Sequence, residues 1–363
     1  FPAAPAQRQS GGEAILAAIL DEAVPVTGDE AMARSGGDLQ AFIRQVMRPH
    51  LVPNPDPRQG ELVAQTDAAL SATMRAILHH PAFQGVEGLW RALELLVYRL
   101  ETTSELQVHL LDISAAELAA ALPPDGDPQA SPFYRILVRH AEEAPWSVLA
   151  GAFTFGTAPG DIERLAQLAA IGQLLGAPWL AGAAPDLVGA DSLATSPDPR
   201  DWKSASDPTW EAFRGTALAR SVGLVLPRFL LRLPYGKQYE SCERFAFEEF
   251  DGDPFHEQFL WGPPGFGVAL LLGQAFAERG WGLAQAFEPE IGGLPYVVLG
   301  RGAEAEAVPC AETLLTERAA SRILDRGIMP LASLKDQDRV RLIRLQSVAR
   351  PLAPLAGRWP TRG

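Results

Sequence analysis

Only a few groups in this sequence carry residue types and spacings that could do chemistry. Residues 262–267 read GPPGFG ahead of an apolar stretch, the composition of a phosphate-cradling turn. They lack the Gly-Lys-Ser/Thr ending that would place an ammonium on phosphate and a hydroxyl on magnesium. A tight turn into a helix is therefore the reading. No G-x-G-x-x-G follows a strand pattern, and no G-x-S-x-G elbow appears. His79 and His80 are adjacent. On a helix such neighbours point about 100° apart, so they cannot share a metal as residues i and i+4 would. The segment DGDPFHE (251–257) gathers Asp251, Asp253, His256 and Glu257, the one local cluster able to receive a cation. It carries no calcium-loop signature and reads as solvated surface. Glu248 and Glu249 could suggest an acid–base pair, yet consecutive strand residues face opposite ways. Cys242 and Cys310 stand far apart with no CxxC and no companion histidine spacing. They suit a reducing compartment and read as packing thiols. The eight tryptophans are spread along the chain, as core and interface anchors would be. No catalytic group, metal or cofactor is expected.

The elements that would hold these residues follow from composition and periodicity. The chain has 363 residues, 47% hydrophobic and 21% charged, which suits one large globular unit or two lobes. A formal charge of −13 argues against nucleic acid as the main partner, since phosphate binding needs clustered Lys and Arg. The opening FPAAPAQRQSGG has no apolar core of a signal peptide, and the greasiest run, near 266–276, is broken by Gly273 and Gln274 and is too short to span a bilayer. A cytoplasmic protein without direct membrane insertion is expected.

Residues 1–66 read as an N-terminal arm. Residues 13–23 place Ile15, Leu16, Ile19 and Leu20 on one face of a short helix, a second helix runs over 38–47, and three prolines in 50–60 mark an extended linker. The α/β core is expected over 67–350, in two lobes (about 67–205 and 206–350), with a tail at 351–363. Leu70, Met74, Ile77 and Leu78 share a helical face in 67–78, which Pro81 ends. Phe83, Val86, Trp90, Leu93, Val97 and Leu100 share one in 83–100. Residues 106–113 (LQVHLLDI) read as a strand, and Ser114 with Glu117 as a capping box. A buried strand at 145–156, a helix capped by Asp161 and ended by Gly176, and a buried strand at 178–184 make a βαβ unit with parallel pairing. Strands at 222–227, 294–299 and 339–348 and helices near 265–279 and 311–326 complete a mixed, partly parallel β-sheet flanked by helices, an α/β fold.

The segment LHHPAFQGVEGLWRALELLVYRLE (78–101) resembles the HHPxFQxLExxWRxLxxLV region of the TssC/VipB/EvpB/ImpC family, the large subunit of the type VI secretion contractile sheath. VGLVLPRFLLRLPYG (222–236), FAFEEF with FLWGPPGFG (245–267) and RILDRGIMPLASLKDQDRVRLIRLQSV (322–348) are similar to further family blocks, in the same order. Helix facing explains the apolar positions of the first block; it does not explain Glu87 and Arg91. AILAAILDEAVPV (14–26) is similar to the helix that the family offers to its disassembly ATPase.

The resemblance implies a structural, non-enzymatic protein that pairs with a small TssB/VipA-type subunit and with neighbouring large subunits around an inner Hcp tube. It further implies contraction from a baseplate and recycling by a ClpV-type AAA+ ATPase. Ile15, Leu16, Ile19 and Leu20 are the implied ATPase-recognition residues. Phe83, Glu87, Trp90, Arg91, Pro227, Arg228, Pro234, Tyr235, Glu249, Trp261 and Gly262 are the implied structural motif residues. Family members continue past the QS segment, whereas this chain closes with RPLAPLAGRWPTRG. Either the sequence stops early or the chain is a shortened paralogue acting as cap or adaptor. An α/β enzyme with an unrecognised site is the remaining alternative.

Overall fold

The computed structural model describes residues 58–123, 126–142, 144–203, 207–285, 287–300 and 305–359. The chain divides into Phe1–Val63 and Ala64–Gly363. The expected helices at 13–23 and 38–47 and the three prolines of the linker lie outside the described residues; the end of the expected linker, at 59–60, instead begins a helix that also takes up the last residues of the expected arm. Helix α1 (Gln59–Leu78) is followed by α2 (Pro81–Arg99). The break falls at His79–His80. Pro81 occupies the first helical position, where its missing N–H costs nothing, and His80 Nδ1 accepts the Ala82 N–H at 3.2 Å.

Six strands form the main sheet in the order β1 (Leu149–Phe155), β2 (Trp179–Ala183), β3 (Val222–Leu226), β9 (Met329–Ser333), β10 (Val340–Leu342), β6 (Glu290–Ile291). The β1, β2, β3 and β9 pairings are parallel; β10 runs antiparallel to both its neighbours. Two small antiparallel ladders stand beside it, β4 (Phe229–Leu230) with β5 (Trp261–Gly262) and β7 (Val297–Leu299) with β8 (Glu306–Val308). The mixed α/β architecture and the βαβ unit at 149–183 match the sequence reading.

Alternation along β2 and β3 builds the core on both faces of the sheet. Trp179, Ala181 and Ala183 of β2 and Val222, Leu224 and Leu226 of β3 join one apolar cluster, packed by α5 (Asp161–Leu175) through Leu165, Leu168 and Ile171. Leu180 and Val225 point the other way, into a cluster with Leu270, Leu271 and Leu272 of α7 (Pro264–Arg279). Among the described residues the remaining α-helices are α3 (Ala115–Ala121), α4 (Pro132–Ala141), α6 (Pro208–Arg214) and α8 (Glu317–Asp325). The Ser114 capping box is present: Ser114 N–H donates to Glu117 Oε2 at 2.8 Å and Glu117 N–H to Ser114 Oγ at 3.2 Å.

Several expectations are corrected. Residues 106–113 form no strand; they find no ladder partner, and Leu110 and Leu111 are exposed. Asp161 is the first residue of α5 rather than its cap: Gly160, at φ 84°, is the cap, and Asp161 Oδ2 instead accepts the Gly156 N–H at 3.1 Å. Gly176 does end α5, at φ 66°. The strands expected at 294–299 and 339–348 shrink to β7 and β10, and the helix expected at 311–326 to α8. Strand β9, between β3 and β10, was not expected at all. The largest correction concerns α2. Its buried face is Gly88, Ala92 and Leu96, at period four, while Phe83, Val86, Trp90 and Val97 are exposed. A close crossing explains this choice: a Cβ on Gly88 would lie 3.2 Å from the Trp261 carbonyl, and one on Gly273 of α7 2.8 Å from Leu100. Small residues let these backbones approach, so they take the inner face. On α1, likewise, Leu70 and Ile77 are exposed while Ser71 and Leu78 are buried.

Candidate functional site

An isolated charge inside an apolar run demands a partner, because an unpaired buried ion is costly. Arg232 sits in the run FLLRLP directly after β4, and its side chain is 3% exposed. Its guanidinium meets Glu249 in a two-pronged pair, Nη1 to Oε2 at 2.7 Å and Nη2 to Oε1 at 2.8 Å. Its Nε donates to Glu87 Oε1 at 2.9 Å, and Nη1 also donates to the Leu233 carbonyl at 3.1 Å. Glu87 Oε1 is shared with Arg91 Nε, one helical turn on, at 3.0 Å. Arg91 Nη2 donates to the Tyr235 hydroxyl at 3.2 Å, and the Tyr235 ring lies 4.8 Å beneath the Arg232 guanidinium. The Tyr235 N–H donates to Glu249 Oε2 and the Glu249 N–H to the Tyr235 carbonyl, both at 2.8 Å. Burial works against the Arg232 charge, but the hydrogen bonds and charges of Glu249 and Glu87 outweigh it and hold its pKa above the ordinary guanidinium value. This arrangement fastens α2 to the 232–249 loop.

His79, at the break between α1 and α2, faces the same lock. Its Nε2 is 3.5 Å from Glu249 Oε1, too long for a hydrogen bond. Burial is the largest influence on it and lowers its pKa in spite of the nearby carboxylate, so the ring is held toward the neutral form.

A second knot ties the start of β4 to residue 312. Arg228, next to the cis Leu226–Pro227 bond, donates from its backbone N–H to Glu312 Oε2 at 2.9 Å and from Nε to Oε1 at 3.0 Å. His256 Nε2 lies 3.1 Å from the same Oε1, its ring stacks on Trp261 at 4.7 Å, and the Trp261 indole N–H donates to the His256 carbonyl at 2.9 Å. Burial pushes the Glu312 carboxyl up, but hydrogen bonds from His256 and Arg228 and the Arg228 charge prevail and hold it at about 2. Because the folded pKa lies below the ordinary value near 4.5, this contribution is complete above about pH 4.5 and fades as pH falls toward 2. Glu312→Gln should therefore lower stability at pH 7 by up to about 3 kcal/mol, and the gap from the parent should narrow between pH 4.5 and 2. Urea denaturation at several pH values reads this directly; a gap independent of pH would refute it.

The other residues with chemical potential are spent on packing. Gly265, in the 262–267 turn, abuts the sheet: a Cβ there would lie 3.0 Å from the Ala181 backbone N and Cα. The loop's backbone thus approaches β2 rather than leaving space for a phosphate. In the 251–257 segment His256 turns to Glu312, and Asp251 pairs with Arg75 at 3.3 Å. Among the described residues no group of three or more His, Cys, Asp or Glu is placed to hold a metal. Glu249 is buried and Glu248 exposed, the opposition expected of neighbours on an extended segment. Cys310 is buried, its thiol pushed up to about 11 by burial and the Asp338 charge, which makes it a poor nucleophile; Cys242 is half-buried. A cleft of about 270 Å³ has Thr157, Asp186, Lys203, Arg326, Trp210 and Leu187 among its lining residues. Arg232, Arg91, His79 and Glu312, the knot residues whose pKa values are shifted, lie outside it. Among the described residues no helix is long and apolar enough to cross a membrane.

The structure thus brings Glu87, Arg91, Tyr235 and Glu249 together around Arg232, and Arg228 and Trp261 together around Glu312 and His256. Gly262 pairs with Phe229 across β4 and β5, Pro227 and Pro234 are buried, and Phe83 and Trp90 face outward. Ile15, Leu16, Ile19 and Leu20 lie outside the described residues. Sequence reasoning missed Arg232 and Glu312, the centres of both knots; a lone Arg between apolar neighbours was the available signal for the first.

A family model described as VipB: EvpB/VC_A0108, tail sheath N-terminal domain, matches residues 60–349. The chain is also 30% identical, over 304 residues, to the type VI secretion system sheath protein TssC1 of Pseudomonas aeruginosa. That alignment covers 80% of this chain and 61% of the relative, so the chain spans less than two-thirds of the length of the protein it matches.

Proposed function

Because the chain belongs to the VipB/EvpB tail sheath family, we propose that it is a structural large subunit of a type VI secretion sheath and works mechanically, in the cytoplasm, without catalysing a reaction. The observation that carries this reading is the match over 60–349, whose limits enclose both ion-pair knots. The chemistry of those knots favours it: their charged side chains are consumed by one another, which stiffens a body that must transmit force.

The finer assignments belong to the same proposal. The chain pairs with a small TssB/VipA-type subunit, stacks with copies of itself around an Hcp tube and contracts from the baseplate. A ClpV-type ATPase then engages Ile15, Leu16, Ile19 and Leu20. Glu87, Arg91, Pro227, Arg228, Pro234, Tyr235, Glu249, Trp261 and Gly262 act in this reading as the residues that shape the subunit, while Phe83 and Trp90 of the same motif face outward.

Co-expression with a TssB/VipA-type subunit tests the reading. A stable complex on size exclusion, with tubes or curved fragments in negative stain, is the expected result. If the two chains separate cleanly and only single particles appear, the sheath assignment is wrong for this protein.

A further inference from the structure

Two histidines meet in a place that neither knot uses. His109 lies in the 106–113 segment and His140 in the last turn of α4, 31 residues away in sequence. His140 Nε2 stands 2.9 Å from His109 Nδ1, and the rings meet edge-on with centroids 4.3 Å apart. The neighbours fix the tautomers. Gln107 donates its amide Nε2 to the Ser104 carbonyl at 3.3 Å, which turns its Oε1 toward His109 Nε2 at 3.2 Å. That oxygen can only accept, so His109 carries its proton on Nε2 and offers a bare Nδ1 to the Nε2–H of His140. Trp146 backs both rings, its centroid 5.5 Å from His109 and 4.8 Å from His140. It is itself anchored to α4, donating its indole N–H to the Leu137 carbonyl at 2.9 Å.

One proton holds the two nitrogens together, and a cation can take its place with no net loss of protons. His140 then carries its hydrogen on Nδ1, and both facing nitrogens become lone-pair donors. Separation selects the ion. Two nitrogens held about 2.05 Å from an ion of right-angled geometry are about 2.9 Å apart, whereas a tetrahedral ion needs about 3.3 Å. The pair as it stands has the spacing of neighbouring ligands on square-planar or octahedral Ni²⁺ or Cu²⁺. His109 is exposed, so a small rotation of its ring directs the lone pair at a shared ion. No third His, Cys, Asp or Glu joins the two among the described residues, so water completes the shell. The Gln107 carbonyl supplies the outer hydrogen bond that sets which nitrogen of a metal-bound histidine is bare.

We propose that His109 and His140 form a two-histidine chelate for a divalent transition-metal ion of the Ni²⁺ or Cu²⁺ kind, positioned by Gln107, and that the ion ties the 106–113 segment to α4. The site does not depend on the sheath reading.

The test titrates NiCl₂ into the untagged full chain in a non-chelating buffer, followed by calorimetry. Saturable binding of one Ni²⁺ per chain is expected, with no competition from Mg²⁺, which prefers oxygen ligands. His109→Gln and His140→Gln should each weaken it at least about tenfold, and Gln107→Leu several-fold. His50→Gln and His80→Gln should leave it unchanged. Bound Ni²⁺ should also raise the Tm of the parent by a few degrees, an increase that both ligand variants lose. Electron paramagnetic resonance of the Cu²⁺ form gives an independent arm: coupling to two imidazole nitrogens in the parent and to one in either variant. No saturable binding, binding that survives both His109→Gln and His140→Gln, or binding lost in His50→Gln or His80→Gln overturns the site. Unchanged binding by Gln107→Leu overturns the positioning role. A metal-free circular-dichroism melt unchanged from the parent separates a lost ligand from a lost fold.

Discussion

Arg232→Met should lower the stability of the protein by about 3–5 kcal/mol, the range for removing one partner of a buried ion pair. In a body of this size that is a drop of roughly 10 °C in Tm. The size of the effect comes from what stays behind. Glu249, 1% exposed, loses both prongs of its partner, and Glu87 keeps only Arg91. His79, 3.5 Å away and held toward neutrality by burial, cannot take over the compensating charge without itself being protonated. Arg232→Lys should recover only part of the loss, since one ammonium cannot address Glu249 twice and Glu87 at once. Adding Glu249→Gln to Arg232→Met should be less damaging than the sum of the single changes, because the charge left stranded by the first is removed by the second. Denaturant melts of the four variants check the cycle. Simple additivity would mean that Arg232 and Glu249 act independently despite their contact.

Gly327→Ala should cost about 2–5 kcal/mol, while the superficially similar Gly176→Ala should cost about 1. Both glycines follow a helix with positive φ, 79° and 66°. Around Gly176 nothing lies within 4 Å of an added Cβ, so only the backbone preference is at stake. At Gly327 the added atom would fall 2.7 Å from the Val348 carbonyl oxygen and 2.9 Å from its Cα, and backbone cannot be moved aside as a side chain can. Gly327 also turns the chain from α8 into β9, the strand joining the parallel and antiparallel parts of the sheet. Thermal melts of the two variants decide the matter; losses of equal size would show that the close approach to Val348 carries no weight.

Much of this architecture is legible from periodicity alone. The βαβ unit, the Ser114 box, the long apolar α7 and the glycine that ends α5 are local features, each written in one continuous stretch of sequence, and each forms. What periodicity could not supply is the choice between two competing apolar faces. On α2 the heptad row is the greasier, but the row with glycine and alanine permits the closest approach, and packing favoured the latter. Strand β9 escaped notice because MPLAS contains Pro330, which argues against an interior strand. Residues 106–113 have the alternation of a strand yet no neighbouring edge to pair with. Glu87 and Arg91 could be singled out in the sequence, but their reason could not, since Arg232 lies 145 residues beyond Glu87. Long-range charge pairing leaves no trace in a local window.

The strand order also sets a timetable for making the protein. Strands β1, β2 and β3 lie within residues 149–226 and can pair as soon as they emerge from the ribosome. Their sheet then waits: Val225 pairs with Met329, about a hundred residues later, and until those residues arrive β3 keeps a bare, apolar edge. During synthesis at about 5–20 residues per second this interval lasts roughly 5–20 s. Slowing translation across 230–328 should therefore increase insoluble product, while the same slowing after residue 345 should not.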